Sequence, residues 1–348
     1  MNITLSEKTL HFKKPARTSR GEYSEHRMVI VTITDDDGKR VGVGECAPLP
    51  DLSCDRDAYG NLSAVSRLLT NALVTGNYEE TLRPYPALLF AFESALCAYE
   101  QKPQLYDTPF ARGEVGIPFN GLIWMSTFDE MLEQVRTKLS QGFRCIKIKI
   151  GSKAASPVGD IDDAWERELE LLRLIRSEYG RDSLELRVDA NGAFAPEDAM
   201  NRLEMLARFD LHSIEQPIRQ QQWDDMARLC KESPLPIALD EELIGVNSLD
   251  EKRELLDTIR PQYIVIKPTL HGGMSGSREW IDEANKRGIG SWITSALESN
   301  IGLQSVALFA ASVYGDNITF PQGLGTGQLF TDNIPMPIQQ KGSEIWRI

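Results

Sequence analysis

The chain has 348 residues, 41% hydrophobic and 26% charged, a balance that fits one large or two ordinary soluble globular domains with a sizeable core. Its formal net charge of −13, from 38 Lys and Arg against 51 Asp and Glu, argues against nucleic acid or an anionic membrane as the main partner. The five cysteines, Cys46, Cys54, Cys97, Cys145 and Cys230, are scattered and form no C-x-x-C pair, so neither a disulfide framework nor a zinc site is expected.

At the N-terminus, MNITLSEKTL lacks the charged start and apolar run of a signal peptide, and no later apolar stretch approaches the ~18 residues of a membrane span. A reducing cytoplasm is the expected compartment. Residues 1–112 read as α+β. RMVIVTITDDDGKRVGVGECAP carries β-rich runs at 27–34 and 40–44 around a turn at Gly38, and helical patterns follow at YGNLSAVSRLLTNALVTG and ALLFAFESALCAYEQ. Proline and glycine then cluster between Pro103 and Pro118, which marks a domain boundary. From about residue 116, short apolar strands alternate with amphipathic helices. Strands are expected at 117–123, 145–150, 184–189, 212–215, 237–240, 262–267, 290–295 and 318–322. Eight such units separated by seven helices fit a (β/α) barrel over 113–323 better than an open doubly wound sheet. Residues 324–348 are too few for a domain and are expected to pack back on the N-terminal one.

In such barrels chemistry sits at the C-terminal ends of the strands. The alternation in CIKIKIG, residues 145–151, puts Lys147 and Lys149 on one face and Ile146, Ile148 and Ile150 on the other. The remaining strand ends carry Asp189 with Asn191, Glu215, Asp240, Lys267, and Ser295 with Glu298. One Asp at a strand end is more often a helix cap than a ligand, and one such Lys is usually solvated. Three carboxylates on successive strands, each directly after an apolar run (LRVD, SIE, IALD) and flanked by lysine-bearing strands, are instead expected to converge. Unneutralised they would repel and resist ionisation. A hard divalent cation resolves this, and an all-oxygen site suits Mg²⁺ rather than Zn²⁺. With three lysines added the site is net positive and favours a small anionic substrate. Crowded cations are expected to depress a lysine pKa enough for it to act as a base. The fitting chemistry is removal of a proton beside a carboxylate, with the cation stabilising the enediolate charge.

The set KIK, DANGAF, IEQP, LDEEL, IVIKPT and SALESNIG resembles the enolase superfamily, in its muconate-lactonizing-enzyme-like subgroup, and the resemblance covers essentially the whole chain. It implies a modified (β/α)₇β TIM-type barrel with an N-terminal α+β capping domain and a C-terminal segment returning to the cap. By the same resemblance Asp189, Glu215 and Asp240 match metal ligands for Mg²⁺, with Mn²⁺ as the alternative. Lys149 matches the lysine that takes the proton. Lys147 matches the neighbour that tunes charge and contacts the carboxylate, Lys267 the lysine on the opposite face, and Asn191 a residue close to the metal.

Within the subgroup, TSRGEY (18–23), GVGECAPLP (42–50), SALESNIG and GLGTG (323–327) are most similar to the o-succinylbenzoate synthase family. That likeness implies syn dehydration of 2-succinyl-6-hydroxy-2,4-cyclohexadiene-1-carboxylate to o-succinylbenzoate, in menaquinone biosynthesis. Lys149 would abstract the proton and also protonate the departing hydroxyl, while Lys267 acts on the ring by cation–π and electrostatic stabilisation. A mobile loop near 18–26 would close over the site, with Arg20 and Ser295 as further substrate contacts, and GLGTG would line the succinyl pocket with backbone. For Arg20 an ordinary polar loop, and for Ser295 a strand-end cap, are equal alternatives. N-Succinylamino acid racemases and dipeptide epimerases share the lysines and ligands and stay open as alternatives. The epimerases usually carry an acidic D-x-D where this chain has GLGTG. A non-catalytic carboxylate-binding barrel is the alternative of a different class. His11, His26, His212 and His271 form no cluster and read as structural. No sequence feature specifies an oligomeric state.

Overall fold

Val29, Val31 and Ile33 are buried and alternate with the half-buried Ile30, Thr32 and Thr34, the period-two pattern of a sheet with one covered face. In the computed structural model, which describes residues 1–18, 21–151, 160–315 and 318–348, they lie in the middle strand of an antiparallel sheet. Its strands are Asn2–Thr18, Gly21–Thr34 and Val41–Cys46, in that order. The sequence reading expected strands only at 27–34 and 40–44. Here Asn2–Thr18 pairs with Gly21–Thr34 along almost its whole length, from Asn2 opposite Thr34 to Thr18 opposite Gly21. A register shift between His11 and Ala16, around Pro15, interrupts the ladder. The helix Pro86–Glu100 lies against this sheet so closely that a Cβ on Gly42 would fall 2.0 Å from the Ala95 carbonyl oxygen, and one on Gly44 1.9 Å from that of Ala91. Only glycine permits that approach.

Seven parallel strands follow, each paired with the next: Gly121–Ile123, Cys145–Lys149, Glu185–Asp189, Ser213–Glu215, Ile237–Leu239, Tyr263–Ile266 and Gly290–Ile293. Ile146, Ile148, Val188 and Ile214 are buried in the main core cluster together with apolar residues of the surrounding helices, among them Trp165, Leu169 and Leu172. Sharp helix starts come from capping boxes at Thr127 with Glu130 and at Ser248 with Glu251.

The eighth strand expected at 318–322 is reduced to two isolated parallel bridges, Gln322 to Phe119 and Gly323 to Thr294. Pro321 has no N–H to donate, so a longer ladder is not available there. The bridges nonetheless close the barrel. Gln322 N donates to Pro118 O at 2.9 Å on one side, and Gly323 N donates to Ile293 O at 2.8 Å on the other. The first expected strand is likewise split, into Ile117–Pro118 and Gly121–Ile123. The chain end first runs beside the cap, where Thr331 N donates to His11 O and Lys13 N to Leu329 O. It then forms a hairpin, Ile338–Lys341 with Glu344–Arg347, that pairs with Ile117–Pro118. Among the described residues no helix is long and apolar enough to cross a membrane.

Candidate active site

Parallel pairing sets the functional side chains in a row. Lys149 is in register with Asp189, and Asp189 with Glu215. Because side chains alternate along a strand, residues in register point to the same face. Lys147 Nζ lies 2.8 Å from Glu215 Oε2 and 3.4 Å from Asp189 Oδ2. Lys149 Nζ is 2.7 Å from Asn191 Oδ1 and 3.5 Å from Asp189 Oδ2. From the far side of the barrel Lys267 Nζ contacts Asp240 Oδ2. The structure thus brings six of the nine sequence-predicted site residues, the three lysines and the three acids, into one cluster, and Asn191 joins it through Lys149.

Asp189, Glu215 and Asp240 are buried and each offers an oxygen within 4.8 Å of the others. Glu215 Oε1 and Asp240 Oδ1 are buried without a hydrogen-bond partner among the described residues. Buried carboxylate oxygens are seldom left so. Three converging carboxylates, two of them with such an orphaned oxygen, fit a hard divalent cation.

The electrostatics depart from the sequence expectation at the lysines. Burial disfavours the charged form of Lys147, but Glu215 and Asp189 outweigh it and raise the pKa above the ordinary lysine value. The same holds for Lys267, where Asp240 and Glu241 outweigh burial. Each of these ammonium groups touches a carboxylate, and this contact decides the direction over lysine–lysine crowding. Burial also resists the charge on Asp189, yet Lys149, Lys147 and Lys267 hold its carboxyl below the usual range. Glu215 is pushed up to about 7 by burial, against the pull of Lys147.

Asn191 adopts φ +44°, a left-handed conformation that Asn tolerates better than most residues. In this pose its backbone N–H donates to Asp189 Oδ1 at 3.0 Å, and its amide bridges Lys149 to Glu241 Oε1, 3.0 Å away. Glu241 escaped the sequence reading. The doubled acid of LDEEL was its only signal. Burial pushes the Glu241 carboxyl up to about 7. Arg187 was also missed, although LRVD places it two residues before Asp189 and therefore on the same inward face. Its guanidinium is buried beneath the site between the Trp292 and Phe320 rings, 4.6 and 4.4 Å from their centroids, and pairs with Glu185 at 2.7 Å.

Ser295 lines the cavity, but its Oγ donates to Gly323 O and accepts from Thr326 Oγ1, both at 2.9 Å. Arg20 lies outside the described residues. Glu298 is buried and accepts from Thr269 Oγ1 and Ala296 N, holding the turn in which Leu297 sits at φ +68°. His212 packs among Tyr263, Trp292 and Phe320.

Above the cluster opens a cavity. Lysines 147, 149 and 267 with Asp189 form its polar end, while Tyr23, Leu49 and Leu52 of the cap and Trp124 and Leu297 of the barrel form an apolar wall. The pocket is built to hold an anionic group at its base and an apolar ring or chain against its wall.

The family model described as enolase C-terminal domain-like matches residues 130–335. The o-succinylbenzoate synthase of Desulfotalea psychrophila (strain LSv54 / DSM 12343) is 42% identical, with 98% of each chain covered. The L-Ala-D/L-Glu epimerase of Bacillus subtilis (strain 168) is 27% identical over 90% of this chain and 85% of the relative. Among solved structures, MenC from Desulfotalea psychrophila LSv54 superposes with a TM-score of 0.81 at 39% identity, covering 99% of both chains. By its fold, its strand-end residues and this near full-length similarity, the chain belongs to the enolase superfamily and, within it, to the o-succinylbenzoate synthase family.

Proposed function

We propose that this chain is a hydro-lyase that dehydrates 2-succinyl-6-hydroxy-2,4-cyclohexadiene-1-carboxylate to o-succinylbenzoate, a step of menaquinone biosynthesis carried out in the cytoplasm. The observation that carries the substrate assignment is the 42% identity to an o-succinylbenzoate synthase over 98% of both chains. The lining supports it. The GLGTG segment stands where dipeptide epimerases usually carry an acidic D-x-D, and Gly323, Gly325 and Thr326 of that segment line the cavity without offering a carboxylate to a substrate ammonium.

In this reading Asp189, Glu215 and Asp240 hold Mg²⁺ or Mn²⁺, which supplies electrostatic stabilisation of the charge developing on the substrate carboxylate. Lys149 takes the proton from the carbon bearing that carboxylate. The C–O bond to the ring hydroxyl breaks, the same ammonium returns the proton to the departing oxygen, and water leaves as the ring becomes aromatic. Lys147 offsets the carboxylates beneath the reacting carbon. Lys267, approaching from the sixth strand across the barrel from the second, stabilises the anionic ring. Tyr23, Leu49 and Leu52 hold the ring and exclude water.

The placement of Lys149 and Lys267 on strands that face each other across the barrel also suits two-base racemisation of an N-acylamino acid, the second reading. Steady-state kcat/KM on the cyclohexadiene carboxylate and on a panel of N-succinylamino acids and dipeptides separates the two. The expected result is a preference for the former by about a hundredfold or more, ~2.7 kcal/mol of differential transition-state binding. A higher kcat/KM on any N-succinylamino acid overturns the assignment.

A further inference from the structure

The sixth strand, Tyr263–Ile266, stops one residue short of Lys267, so the Lys267 amide lies beyond the ladder and needs another acceptor. It finds one in a side chain. Lys267 N donates to Nδ1 of His271 at 3.0 Å. The ring reaches back because the chain turns tightly, with His271 N donating to Lys267 O at 2.9 Å and Gly273 N to Pro268 O at 2.9 Å. Two consecutive glycines at positive φ, Gly272 at +96° and Gly273 at +68°, permit that turn. Immediately after it, the cap carboxylate Glu93 accepts from Met274 N and Ser275 N. His271 therefore sits between the substrate-facing lysine and a point where the cap is fastened to the barrel.

The imidazole is 1% exposed, and burial pushes its pKa far down, so the ring is neutral. An accepting Nδ1 puts the proton on Nε2, which has no partner among the described residues. A buried polar atom is left unsatisfied here while the other ring nitrogen serves one backbone amide. That arrangement favours a positioning role over a merely packed side chain.

We propose that His271 is a positioning residue for Lys267. By holding the Lys267 amide it fixes the Cα–Cβ direction from which the ammonium enters the site toward Asp240. The role rests on the reading of Lys267 as a substrate-facing cation. Misplacement of such a group by about 1 Å costs up to ~100-fold in rate.

Three substitutions test it. In H271N the amide oxygen occupies nearly the place of Nδ1. In H271Q that oxygen lies one bond farther out, and H271L fills the space without any acceptor. Dehydration by H271L and H271Q is expected to lose about ten- to a hundredfold in kcat with KM changed less than about threefold, while H271N recovers to within about threefold of the parent. Equal activity in all three, or losses that follow melting temperature rather than acceptor position, overturns the proposal. Nitrogen-15 histidine spectra of the unmutated protein supply a readout that needs neither substrate nor variant. The expected state is the neutral Nε2–H tautomer with a hydrogen-bonded Nδ1. An Nδ1–H tautomer, or an imidazolium at neutral pH, overturns it. The expected tautomer in a protein inactive on the cyclohexadiene carboxylate would count against the proposed function and leave the His271–Lys267 contact standing.

Discussion

Replacing Lys147 by Met tests the charge balance of the site directly. The two side chains have similar length, and Met removes the ammonium without leaving a new donor or acceptor. Lys147 has a 10% exposed side chain and bridges two carboxylates that are 0% and 2% exposed. Removing one partner of such a buried pair leaves uncompensated charge and costs about 3–5 kcal/mol. Unfolding entropy of ~2.1 cal/mol/K per residue over 348 residues gives about 0.7 kcal/mol/K, so the melting temperature without divalent ions should fall by about 4–7 °C. If Asp189, Glu215 and Asp240 hold a divalent cation, that ion supplies the missing positive charge. Saturating Mg²⁺ should then raise the melting temperature of K147M by more than it raises that of the unmutated protein, recovering at least half of the loss. The assay is calorimetry of both proteins in chelator and in Mg²⁺. An unchanged melting temperature in chelator refutes the pairing. A loss of the same size with and without Mg²⁺ refutes the metal site.

Further outcomes follow from single observations. Lys149→Ala is expected to lose about 10²–10⁴ in turnover, with loss of solvent-deuterium exchange beside the substrate carboxylate; near-normal turnover excludes Lys149 as the base. Exhaustive chelation should abolish activity and added Mg²⁺ restore it, whereas full activity in chelator removes the metal from the reaction. His26 is buried, and burial pushes its imidazole pKa down to about 4 from 6.5. The unfolded chain therefore takes the proton first. The resulting stability is complete above about pH 6.5 and is lost as pH falls toward 4, by ~1.4 kcal/mol per pH unit and about 3 kcal/mol in all. Denaturant melts of His26→Leu should show a flatter dependence across that window; an unchanged slope discards the assignment.

The catalytic half of the molecule was legible because barrel geometry converts one-dimensional position into shared location. A lysine two residues after another on a strand must face the same way, and acids that end successive strands must meet at one mouth. GVGECAPLP marked the family by likeness, and the structure supplies the physical reasons. Gly42 and Gly44 admit the helix Pro86–Glu100, and Glu45 reaches the barrel. Other features depend on partners that no local pattern reveals. Asn2–Thr18 carries Lys8, Lys13, Lys14 and Pro15, which dilute the β signal, and it becomes a strand through pairing with Gly21–Thr34. The eighth unit looked like a strand by composition but is closed by two bridges around Gln322 and Gly323. Arg187 was legible by the same parity rule as Lys147, yet its environment of Trp292 and Phe320 comes from parts of the chain more than a hundred residues away. The direction of the Lys147 and Lys267 pKa shifts depends on distances to carboxylates, which spacing in sequence does not specify.

The position of the cap follows from the same geometry that makes the active site. A helix that follows a barrel strand begins at the C-terminal end of that strand, so its unpaired N–H groups and positive dipole end lie at the catalytic face. The cap meets two of these helix starts with buried carboxylates. Glu45 accepts from Ser299 N and Gly302 N, each at 2.8 Å, and from Ser299 Oγ, at the start of the helix Asn300–Tyr314. Glu93 does the same for the helix Gly273–Lys286 through Met274 N and Ser275 N. Arg83 adds a bidentate pair to Glu279 of that second helix, with both contacts at 3.0 Å. These helices follow the sixth and seventh strands, just past whose ends lie Lys267 and Ser295. The cap is thus fastened on one side of the mouth, beside Lys267, and its residues Tyr23, Leu49 and Leu52 reach into the cavity lined by Lys147 and Lys149. The site draws its charge from the barrel strands and its apolar wall from both the cap and the barrel. Changes to Glu45 or Glu93 should therefore register first at the cap-lined end of the cavity, in the binding of the substrate's apolar portion, before they reach the proton transfer proposed for Lys149.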